Sequence, residues 1–512
     1  MRHTTPLLAL TGILLLLSSL TLMAQNVTHY SSTEGDYWQQ HRLKLSSQAA
    51  TLPVIELDGD ETGVKFQAWG TTFNELDWDA FNLLSRDDQD RLMHDIFAPE
   101  GDLHFTHGRV SMNANDYARS WYSCDDVPGD LGLKYFNIER DKRNIIPLAR
   151  AAQKYCPELQ LFASPWSPPS WMKINQEYSV LSSKYNTQDP RKDYLLYMSD
   201  GHDVDADEMK LMGDRENVFP RRLATQDYFI QDPRYLQSYA DMFCRFIELY
   251  AEQGLPITKV MYQNEAYSYT AYPGCPWTAE GTLRFNNEYL SPTLQLRHPE
   301  VKLWIGTFNT NRLDYVQLIL DDKTLQDHVV GVGTQWECRR NLPEMRLRYP
   351  QLRFMVSESE CGNGQMDWAA GEHTFFLLAD NLANGCDEYY NWNFVLTDQG
   401  QSSWGWRQNA LVQVDSQTRQ MRYTAEYYAY MHFSHLITPG TEILAYSGRD
   451  TDRPASQDSV TPLVVFRRPT GEYVVVMGNF TAEAQQRTLR IGKRYLNIEA
   501  VPHSFNTYLF RM

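Results

Sequence analysis

Short apolar stretches alternate with amphipathic helical patterns from about residue 66 to residue 410, and no other feature constrains the fold of this chain as strongly. Seven of the stretches have the length and composition of strands: GRVSMN (108–113), LQLFASP (159–165), ITKVMYQNE (257–265), KLWIGT (302–307), VVGVGTQW (329–336), RFMVSES (353–359) and DEYYNWNF (387–394). A helical pattern between them, YLQSYADMFCRFIELYAEQG (235–254), ends at a glycine, a common helix stop signal. Alternating strands and helices form a parallel sheet, and about eight such units over roughly 340 residues predict a (β/α)8 barrel.

The C-terminal part of the chain has an antiparallel pattern instead. PLVVFRRPTGEYVVVMGNFT (462–481) contains two alternating stretches around a PTGE turn, and RTLRIG and FNTYLFRM continue the pattern. The strand-like LPVIEL lies near the other end of the chain, and we expect it to join this module. The expected organisation is therefore N-terminal strands over 25–65, a barrel domain over 66–425 and a β domain over 426–512.

The N-terminus has the composition of a signal peptide. Arg2 and His3 precede the apolar stretch LLALTGILLLL, and the residues before Ala24 suit cleavage after that position. The apolar stretch is short for a membrane span and lacks flanking stop-transfer charges, and no later segment is long and apolar enough to cross a bilayer. We expect an exported protein, periplasmic or extracellular, without stable membrane insertion.

Charge and cysteine content exclude several classes of function. The formal net charge is −17 and there is no basic block, so nucleic acid is not an expected partner. The 7 cysteines are scattered, with no CxxC pair and no histidine at zinc spacing, so neither a disulfide scaffold nor a metal-dependent hydrolase is indicated. No metal or organic cofactor is expected.

A long polar segment, residues 174–230, does not fit a short barrel connection. Long loops at the C-terminal face of a barrel are commonly functional or mobile. Within it, DGHDVDADE (200–208) resembles a calcium loop but lacks the glycine of the EF-hand pattern, so a solvated acidic loop is expected.

Polar and aromatic residues stand where the predicted strands end, which is where barrel enzymes carry their reactive groups. These residues are Arg109, Asp116, Trp166, Asn264, Glu265, Trp336, Glu358 and Trp392. Cleavage of a glycosidic bond needs a proton donor and a second carboxylate that traps or stabilises the cationic sugar carbon. Tryptophan rings pack against the apolar face of a sugar. The combination favours a carbohydrate-cleaving enzyme, because a binding protein has no need of a paired acid and nucleophile.

Two glutamates compete for one role in MVSESECGNG (355–364). Glu358 and Glu360 are two residues apart, and side chains repeat every second residue along a strand, so both are expected on one face. Glu358 comes first after the apolar run and is nearer the predicted barrel mouth, which favours it. A shift by two residues remains open.

Four motifs, LFASPWSPPSWMK, QNEAY, VSESECGNG and NWNFVLT with SSWGWRQNALV, resemble those of glycoside hydrolase family 30, the acid β-glucosidase (glucosylceramidase) family. The resemblance extends from FQAWGTTFNE to the C-terminal strands. It implies a (β/α)8 barrel with a fused β-sandwich built from both chain ends.

The resemblance also implies roles for the strand-end residues. Glu265 would be the acid/base and Glu358, directly after a serine, the nucleophile of a retaining double displacement. Asn264 would hold the sugar 2-hydroxyl, and Arg109 would favour the ionised nucleophile. Asp116, Trp166 and Trp392 would surround the nonreducing sugar, with Trp336 as a further aromatic surface.

The chain departs from the family pattern in WGTTFNE (69–75), in Glu337 after Trp336 and in the long 174–230 segment. These departures leave the sugar and the aglycone open. The expected substrate is a β-glucoside, a β-glucan or a glycolipid, cleaved from a terminal sugar. Endo-β-1,6-glucanase, β-xylosidase and β-fucosidase activities are the alternatives within the family, and a non-catalytic carbohydrate-binding protein is the alternative outside it.

Overall fold

The structure, a computed structural model, describes residues 26–57, 61–189, 217–218, 226–446 and 460–512. The predicted signal peptide and the acidic stretch 200–208 lie outside the described residues. Only the two ends of the long 174–230 segment, together with 217–218, lie within them.

Eight parallel strands close into a barrel, as the alternation of strands and helices predicts. In chain order, which is also their order around the barrel, they are Ala68–Phe73, His107–Met112, Gln160–Pro165, Ile257–Met261, Lys302–Phe308, Gly331–Thr334, Arg353–Val356 and Glu388–Asn393. We number them one to eight in this order. Seven match the predicted stretches, and strand one is the segment that only the family resemblance indicated.

The barrel interior is filled by large side chains rather than left open. Phe162, Met261, Trp304, Met355 and Tyr390 form one buried cluster inside the ring of strands. Barrel strands are buried on both faces, which explains why their sequences are nearly continuous apolar runs. The interior is therefore a packed core, and any site must lie at an end of the barrel.

Helices surround the barrel and cover the outer faces of its strands. The α-helices are Glu75–Leu83, Arg86–Phe97, Ile145–Gln153, Pro233–Glu252, Ala279–Arg284, Ser291–Arg297, Leu313–Leu320, Lys323–His328, Leu342–Arg348, Trp368–Ala383 and Ala425–Ser434. Asp141–Arg143, Ser170–Met172 and Trp336–Asn341 are 3-10 turns, and Phe285–Leu290 is a π-helical turn. The predicted helix at 235–254 is confirmed, with Pro233 in its first turn and Gly254 in a left-handed conformation after its end.

A buried ion pair occupies the interior near the start of strand eight. Nζ of Lys259 lies 2.5 Å from Oε2 of Glu388, whose other oxygen accepts a 2.7 Å bond from Arg353. Burial acts to raise the pKa of Glu388, but Lys259 and its neighbouring cations outweigh it and hold that pKa below its usual range. Because Glu388 begins its strand, this pair lies away from the rim formed by the strand ends.

The predicted β module is confirmed as two sheets packed face to face, antiparallel except where Val54–Glu56 pairs parallel to Gln485–Ile491. A seven-stranded sheet has, in spatial order, Asp36–Lys44, Asn26–Thr33, Ser504–Phe510, Tyr473–Asn479, Leu463–Arg467, Glu442–Leu444 and Glu61–Lys65. A three-stranded sheet has Arg494–Ala500, Gln485–Ile491 and Val54–Glu56. Shorter strands pair elsewhere: Val395–Thr397, Val412–Val414 and Met421–Tyr423 in one sheet, and Tyr269–Thr270 with Asn217–Val218 in another.

Side chains on the two faces of the seven-stranded sheet enter different cores. Val465 and Val475 pack with the smaller sheet, whereas Val464 and Val474 join the large core that includes the barrel helices. This two-sided burial explains why LVVF (463–466) and YVVVM (473–477) are continuous apolar runs and not the alternating stretches that were expected. Strands from both ends of the chain thus build one module against the barrel, while the predicted domain boundaries stay a prediction.

All 7 cysteines are buried and unpaired, including Cys361 beside the rim of the barrel. No helix in the described ranges is long and apolar enough to cross a membrane.

Candidate active site

Arg109 forms the floor of the site at the C-terminal end of the barrel. This completely buried side chain donates from Nη1 to Oε2 of Glu358 over 2.5 Å and from Nη2 to Oδ1 of Asn264 over 2.7 Å. Its Nε and Nη2 also donate to the hydroxyl of Ser164. One guanidinium thus fixes side chains from strands three, four and seven. The sequence predicted that three of these four residues would meet, and it gave no role to Ser164.

Asn264 has its amide orientation fixed by its neighbours. Oδ1 accepts hydrogen bonds from Arg109 over 2.7 Å, from Oγ1 of Thr307 over 3.0 Å and from Nε2 of Gln335 over 3.0 Å. Because all three groups are donors, the oxygen must face them. The amide nitrogen of Asn264 is then the group left to meet a ligand.

Gln335 connects the two carboxyl-bearing strand ends, although sequence reasoning gave it no role. Besides its bond to Asn264, Nε2 donates to Oε2 of Glu358 over 3.2 Å. Its Oε1 is buried and has no hydrogen-bond partner among the described residues. The only signal in the sequence is its place directly before Trp336 at the end of strand six.

Glu265 is held in a different environment from Glu358. Its Oε2 accepts bonds from the hydroxyls of Tyr272 over 3.0 Å and Ser268 over 3.1 Å, and its backbone N–H donates to Thr307. The residue has a φ of 48°, a left-handed conformation that is uncommon for a side chain of this kind. Thr307 therefore contacts both members of the Asn264–Glu265 pair and fixes the direction in which the glutamate leaves its strand.

Burial and charge act differently on the two carboxyls. Burial raises the pKa of Glu358, and the guanidinium of Arg109 in direct contact opposes that rise. Burial also raises the pKa of Glu265, where the opposing hydrogen bonds come first from the neutral hydroxyls of Tyr272 and Ser268. A full positive charge favours the ionised form more strongly than a neutral donor does. The charge of Glu265 also adds to the rise in the pKa of Glu358, so the two carboxyls are not favoured to ionise together. Direct contact with a cation makes Glu358 the better placed of the two to carry the negative charge.

Aromatic side chains enclose the same space. The Arg109 guanidinium lies 4.3 Å from the centre of the Trp166 ring, and the rings of Trp166 and Trp392 are 5.3 Å apart. Nε1 of Trp392 donates to Gln408 over 2.7 Å, which fixes the ring. Trp336 is half-buried and packs against the same aromatic cluster.

Asp116 is a third carboxyl at this rim. Its Oδ1 is buried without a hydrogen-bond partner in the described part of the chain, while the residue as a whole keeps 7% exposure. Burial raises the pKa of Asp116 to about 7, and the charge of Glu265 adds to the rise. An unpaired acceptor in this position is suited to a hydroxyl group of a ligand.

Glu360 does not belong to this cluster. Its carboxyl lies 2.8 Å from Nε2 of His373 and 3.9 Å from Arg339. Strand seven ends at Val356, so the period-two alternation does not extend to residues 358–360, and the two glutamates reach different partners. The structure thus separates Glu358 from Glu360, which the sequence pattern alone left together.

The structure brings all eight predicted site residues to one rim, where three carboxyls, those of Asp116, Glu265 and Glu358, are buried beside an arginine and several tryptophans. Within the described ranges, no group of three or more His, Cys, Asp or Glu side chains is arranged to hold a metal ion. Two carboxyls with opposed environments, enclosed by aromatic rings at the strand ends of a (β/α)8 barrel, are typical of enzymes that hydrolyse glycosidic bonds.

Comparison with known proteins agrees with this class. The family model "Glycosyl hydrolase family 30 TIM-barrel domain" matches residues 66–198 and 229–437, which is more than half of the chain. The protein belongs to glycosyl hydrolase family 30 and is a glycoside hydrolase.

Relatives and solved structures match nearly the whole chain. Lysosomal acid glucosylceramidase of Mus musculus is 25% identical over 519 residues, which covers 94% of this chain and 89% of the mouse protein. SrfJ from Salmonella typhimurium has a similar structure with a TM-score of 0.79 at 19% identity, covering 95% of this chain and 100% of SrfJ. The endo-β1,6-glucanase BT3312 has a TM-score of 0.74 at 18% identity, covering 95% of this chain and 99% of BT3312.

Proposed function

We propose that the protein is a retaining β-glycosidase that removes a terminal β-linked glucose, with Glu358 as nucleophile and Glu265 as acid/base. The observation that carries the proposal is the difference between the two carboxyl environments. Glu358 contacts a buried cation at 2.5 Å, whereas the bonds to Glu265 come from neutral hydroxyls. A double displacement needs this pairing, because one carboxyl must attack while the other delivers a proton.

In the first step, Glu358 attacks the anomeric carbon while Glu265 protonates the departing oxygen. The product is a glycosyl-enzyme ester and a free aglycone. In the second step, Glu265, now ionised, takes a proton from water as the water attacks the same carbon. Glu358 leaves as a carboxylate, again beside Arg109. Two inversions give net retention, which is expected with the two carboxyl groups about 5–5.5 Å apart.

The surrounding groups supply binding and orientation. The amide nitrogen of Asn264 is free to donate to the sugar 2-hydroxyl, since its oxygen accepts three other bonds. The unpaired oxygen of Asp116 accepts from a further hydroxyl, and Trp166 and Trp392 wall the sugar. Trp336 is only half-buried beside the aromatic cluster, and we assign it to contact with the aglycone. A site with this many groups around one sugar favours cleavage from a chain end.

The identity of the sugar is supported by similarity. The mouse relative is a glucosylceramidase, which makes a β-glucoside, including a glycolipid glucoside, the first substrate to test. The structural neighbour BT3312 is an endo-β1,6-glucanase, which makes internal cleavage of a β-1,6-glucan the second candidate. β-Xylosides and β-fucosides are the remaining alternatives.

The test is turnover by the purified protein on aryl β-glucoside, β-xyloside and β-fucoside, on glucosylceramide in detergent micelles and on β-1,6-glucan. The proposal predicts fastest release of glucose from β-glucosides. On the glucan, glucose as the first product indicates terminal cleavage, whereas oligosaccharides and an early drop in viscosity indicate internal cleavage. Absence of turnover on every β-glycoside would contradict an active enzyme and leave the carbohydrate-binding alternative.

We also propose that the chain is exported, on the strength of the apolar leader that follows Arg2 and His3. Expression with the leader should give a mature protein beginning at Gln25, which N-terminal sequencing or intact mass measurement checks. A mature protein that begins at Met1 would contradict export by cleavage.

A further inference from the structure

Lys173 is a fully buried lysine that the proposed reaction does not use. It follows the 3-10 turn after strand three, and its Nζ donates to the backbone carbonyls of Gly274 over 2.6 Å, Tyr178 over 2.8 Å and Ser179 over 3.3 Å. An ammonium group has three donors, and three carbonyl oxygens receive them. No carboxylate among the described residues lies within salt-bridge distance of this nitrogen.

A buried ammonium whose hydrogen bonds all go to carbonyls needs a reason to be retained, because taking it out of water is costly. The charge of Glu177 opposes part of this cost. Burial lowers the pKa of Lys173 to about 8, which reflects this cost. The compensation is that Nζ satisfies the carbonyl of Gly274, for which the described residues supply no other donor. The other two carbonyls keep a second bond, Tyr178 O from Gly274 N–H and Ser179 O from Nδ2 of Asn175.

The carbonyls belong to two loops that the lysine holds together. Tyr178 and Ser179 lie in the segment after strand three, and Gly274 lies in the loop after strand four. Three further backbone bonds join the loops: Val180 N–H to Thr270 O over 2.9 Å, Leu181 N–H to Thr270 O over 2.9 Å, and Gly274 N–H to Tyr178 O over 3.1 Å. Asn186 adds a side-chain bond to Ala271 O over 2.8 Å. Lys173 adds three bonds that link the same two loops.

The loop after strand four carries Tyr272, whose hydroxyl donates to Glu265 over 3.0 Å. Thr270 Oγ1 donates to the carbonyl of Tyr272 over 2.9 Å, so the backbone on both sides of Tyr272 is anchored. We infer that Lys173 is a positioning residue for the proton donor: its ammonium fixes the loop that holds Tyr272 against Glu265. This inference rests on the proposed function, in which Glu265 delivers the proton.

The test uses the dependence of rate on the leaving group. An aryl β-glucoside with a poor leaving group needs the proton from Glu265, whereas a dinitrophenyl glucoside leaves with little help. General acid catalysis contributes about 10²–10⁴-fold in enzymes, so partial misplacement of the acid should cost about 10- to 100-fold. We expect Lys173→Met to lose this factor in kcat/KM on the poor leaving group and less than about threefold on the dinitrophenyl substrate.

Two further variants make the result specific. Lys259→Met removes another buried lysine, at the opposite end of the barrel, and should lower thermal stability while keeping the wild-type dependence on the leaving group. Asn186→Ala removes a weaker tie between the same loops and should change the leaving-group dependence in the direction of Lys173→Met, by a smaller factor. It carries the test if Lys173→Met does not fold.

The outcomes separate this inference from the proposed function. Wild-type protein without turnover on any β-glycoside contradicts the proposed function. If the wild type is active and the folded Lys173 and Asn186 variants lose the same factor in kcat/KM on both leaving groups, or lose nothing, the positioning role is overturned. The proposed function is unaffected by that result. A selective loss on the poor leaving group, absent in Lys259→Met, supports it.

Discussion

The hydroxyl of Tyr272 donates to Oε2 of Glu265 over 3.0 Å, and together with Ser268 it lowers a pKa that burial raises. Tyr272→Phe removes a bond that favours the ionised carboxyl, so the pKa of Glu265 should rise. Since Glu265 must be protonated in the first step, the alkaline limb of kcat/KM against pH should move to higher pH. A pH–rate profile on an aryl β-glucoside measures this shift.

Tyr267→Phe is the matched control for that profile. Tyr267 is also buried, but its hydroxyl lies 3.4 Å from the carbonyl of Tyr315 and does not contact Glu265. The alkaline limb of kcat/KM against pH for Tyr267→Phe should coincide with that of wild type. An alkaline limb that stays in place or moves to lower pH in Tyr272→Phe would contradict the assignment of Glu265 as the acid.

Replacement of Arg109 by methionine should change both the free energy of unfolding and the acidic limb of the pH–rate profile. The change leaves Glu358 as a buried carboxylate without a cation, with Gln335 as a remaining donor, and breaking a buried ion pair from one side costs about 3–5 kcal/mol. Arg109 lowers the pKa of Glu358, so its loss should raise that pKa. The nucleophile must be ionised, and the acidic limb of kcat/KM should therefore move to higher pH.

Urea unfolding and a pH–rate profile measure the two effects in Arg109→Met. The double variant Arg109→Met with Glu358→Gln removes both charges and should recover part of the lost stability, because no uncompensated charge remains. Equal stability of the single variant and wild type would show that the pair contributes nothing to the fold.

The two glutamates of SESE should differ sharply when each is changed to glutamine. Glu358→Gln removes the proposed nucleophile and should lower kcat by about 10³-fold or more, as loss of a covalent nucleophile does in other hydrolases. Glu360→Gln changes a carboxyl that contacts His373 and Arg339 and should stay within about threefold of wild type. Initial rates on an aryl β-glucoside compare the two variants. A reversed ranking would move the nucleophile to Glu360.

The stereochemistry of the first product should be retained. Proton NMR of the reaction in its first minutes should show the β-anomer of the released sugar before mutarotation. Methanol added as an acceptor should give a β-methyl glycoside, because the glycosyl-enzyme is attacked on the same face by either nucleophile. Initial appearance of the α-anomer would indicate a single displacement and a wider separation of Glu265 and Glu358.

Much of the barrel and the main site residues were predictable because of one topological rule. Parallel barrel strands deliver their C-terminal ends to one rim, so residues far apart in sequence, such as Arg109, Asn264 and Glu358, were expected to meet there. The strand positions could be predicted because barrel strands are buried on both faces and therefore appear in the sequence as apolar runs. Met355, which packs in the barrel interior, lies in one such run.

The hydrogen-bonding partners at the rim were not predictable in the same way. Tyr272 is seven residues beyond Glu265 in a loop whose path depends on Lys173, and no periodicity reports that path. Gln335 and Thr307 lie at strand ends but are common polar residues, and their roles depend on distances that only the closed barrel defines. The separation of Glu358 from Glu360 depends on the strand ending at Val356, and strand ends are difficult to locate from sequence.

The order of strands in the side sheet has a consequence for how the chain is made. Ser504–Phe510 lies between Asn26–Thr33 and Tyr473–Asn479, so the N-terminal hairpin has no place in the sheet until the last strand is synthesised. His29 and Asn506, which share a hydrogen bond, are 477 residues apart. The free edge of the N-terminal hairpin therefore stays without its partner strand while the whole barrel is translated. A chain truncated before residue 504 would leave this edge and the edge of Tyr473–Asn479 exposed to aggregation and proteolysis.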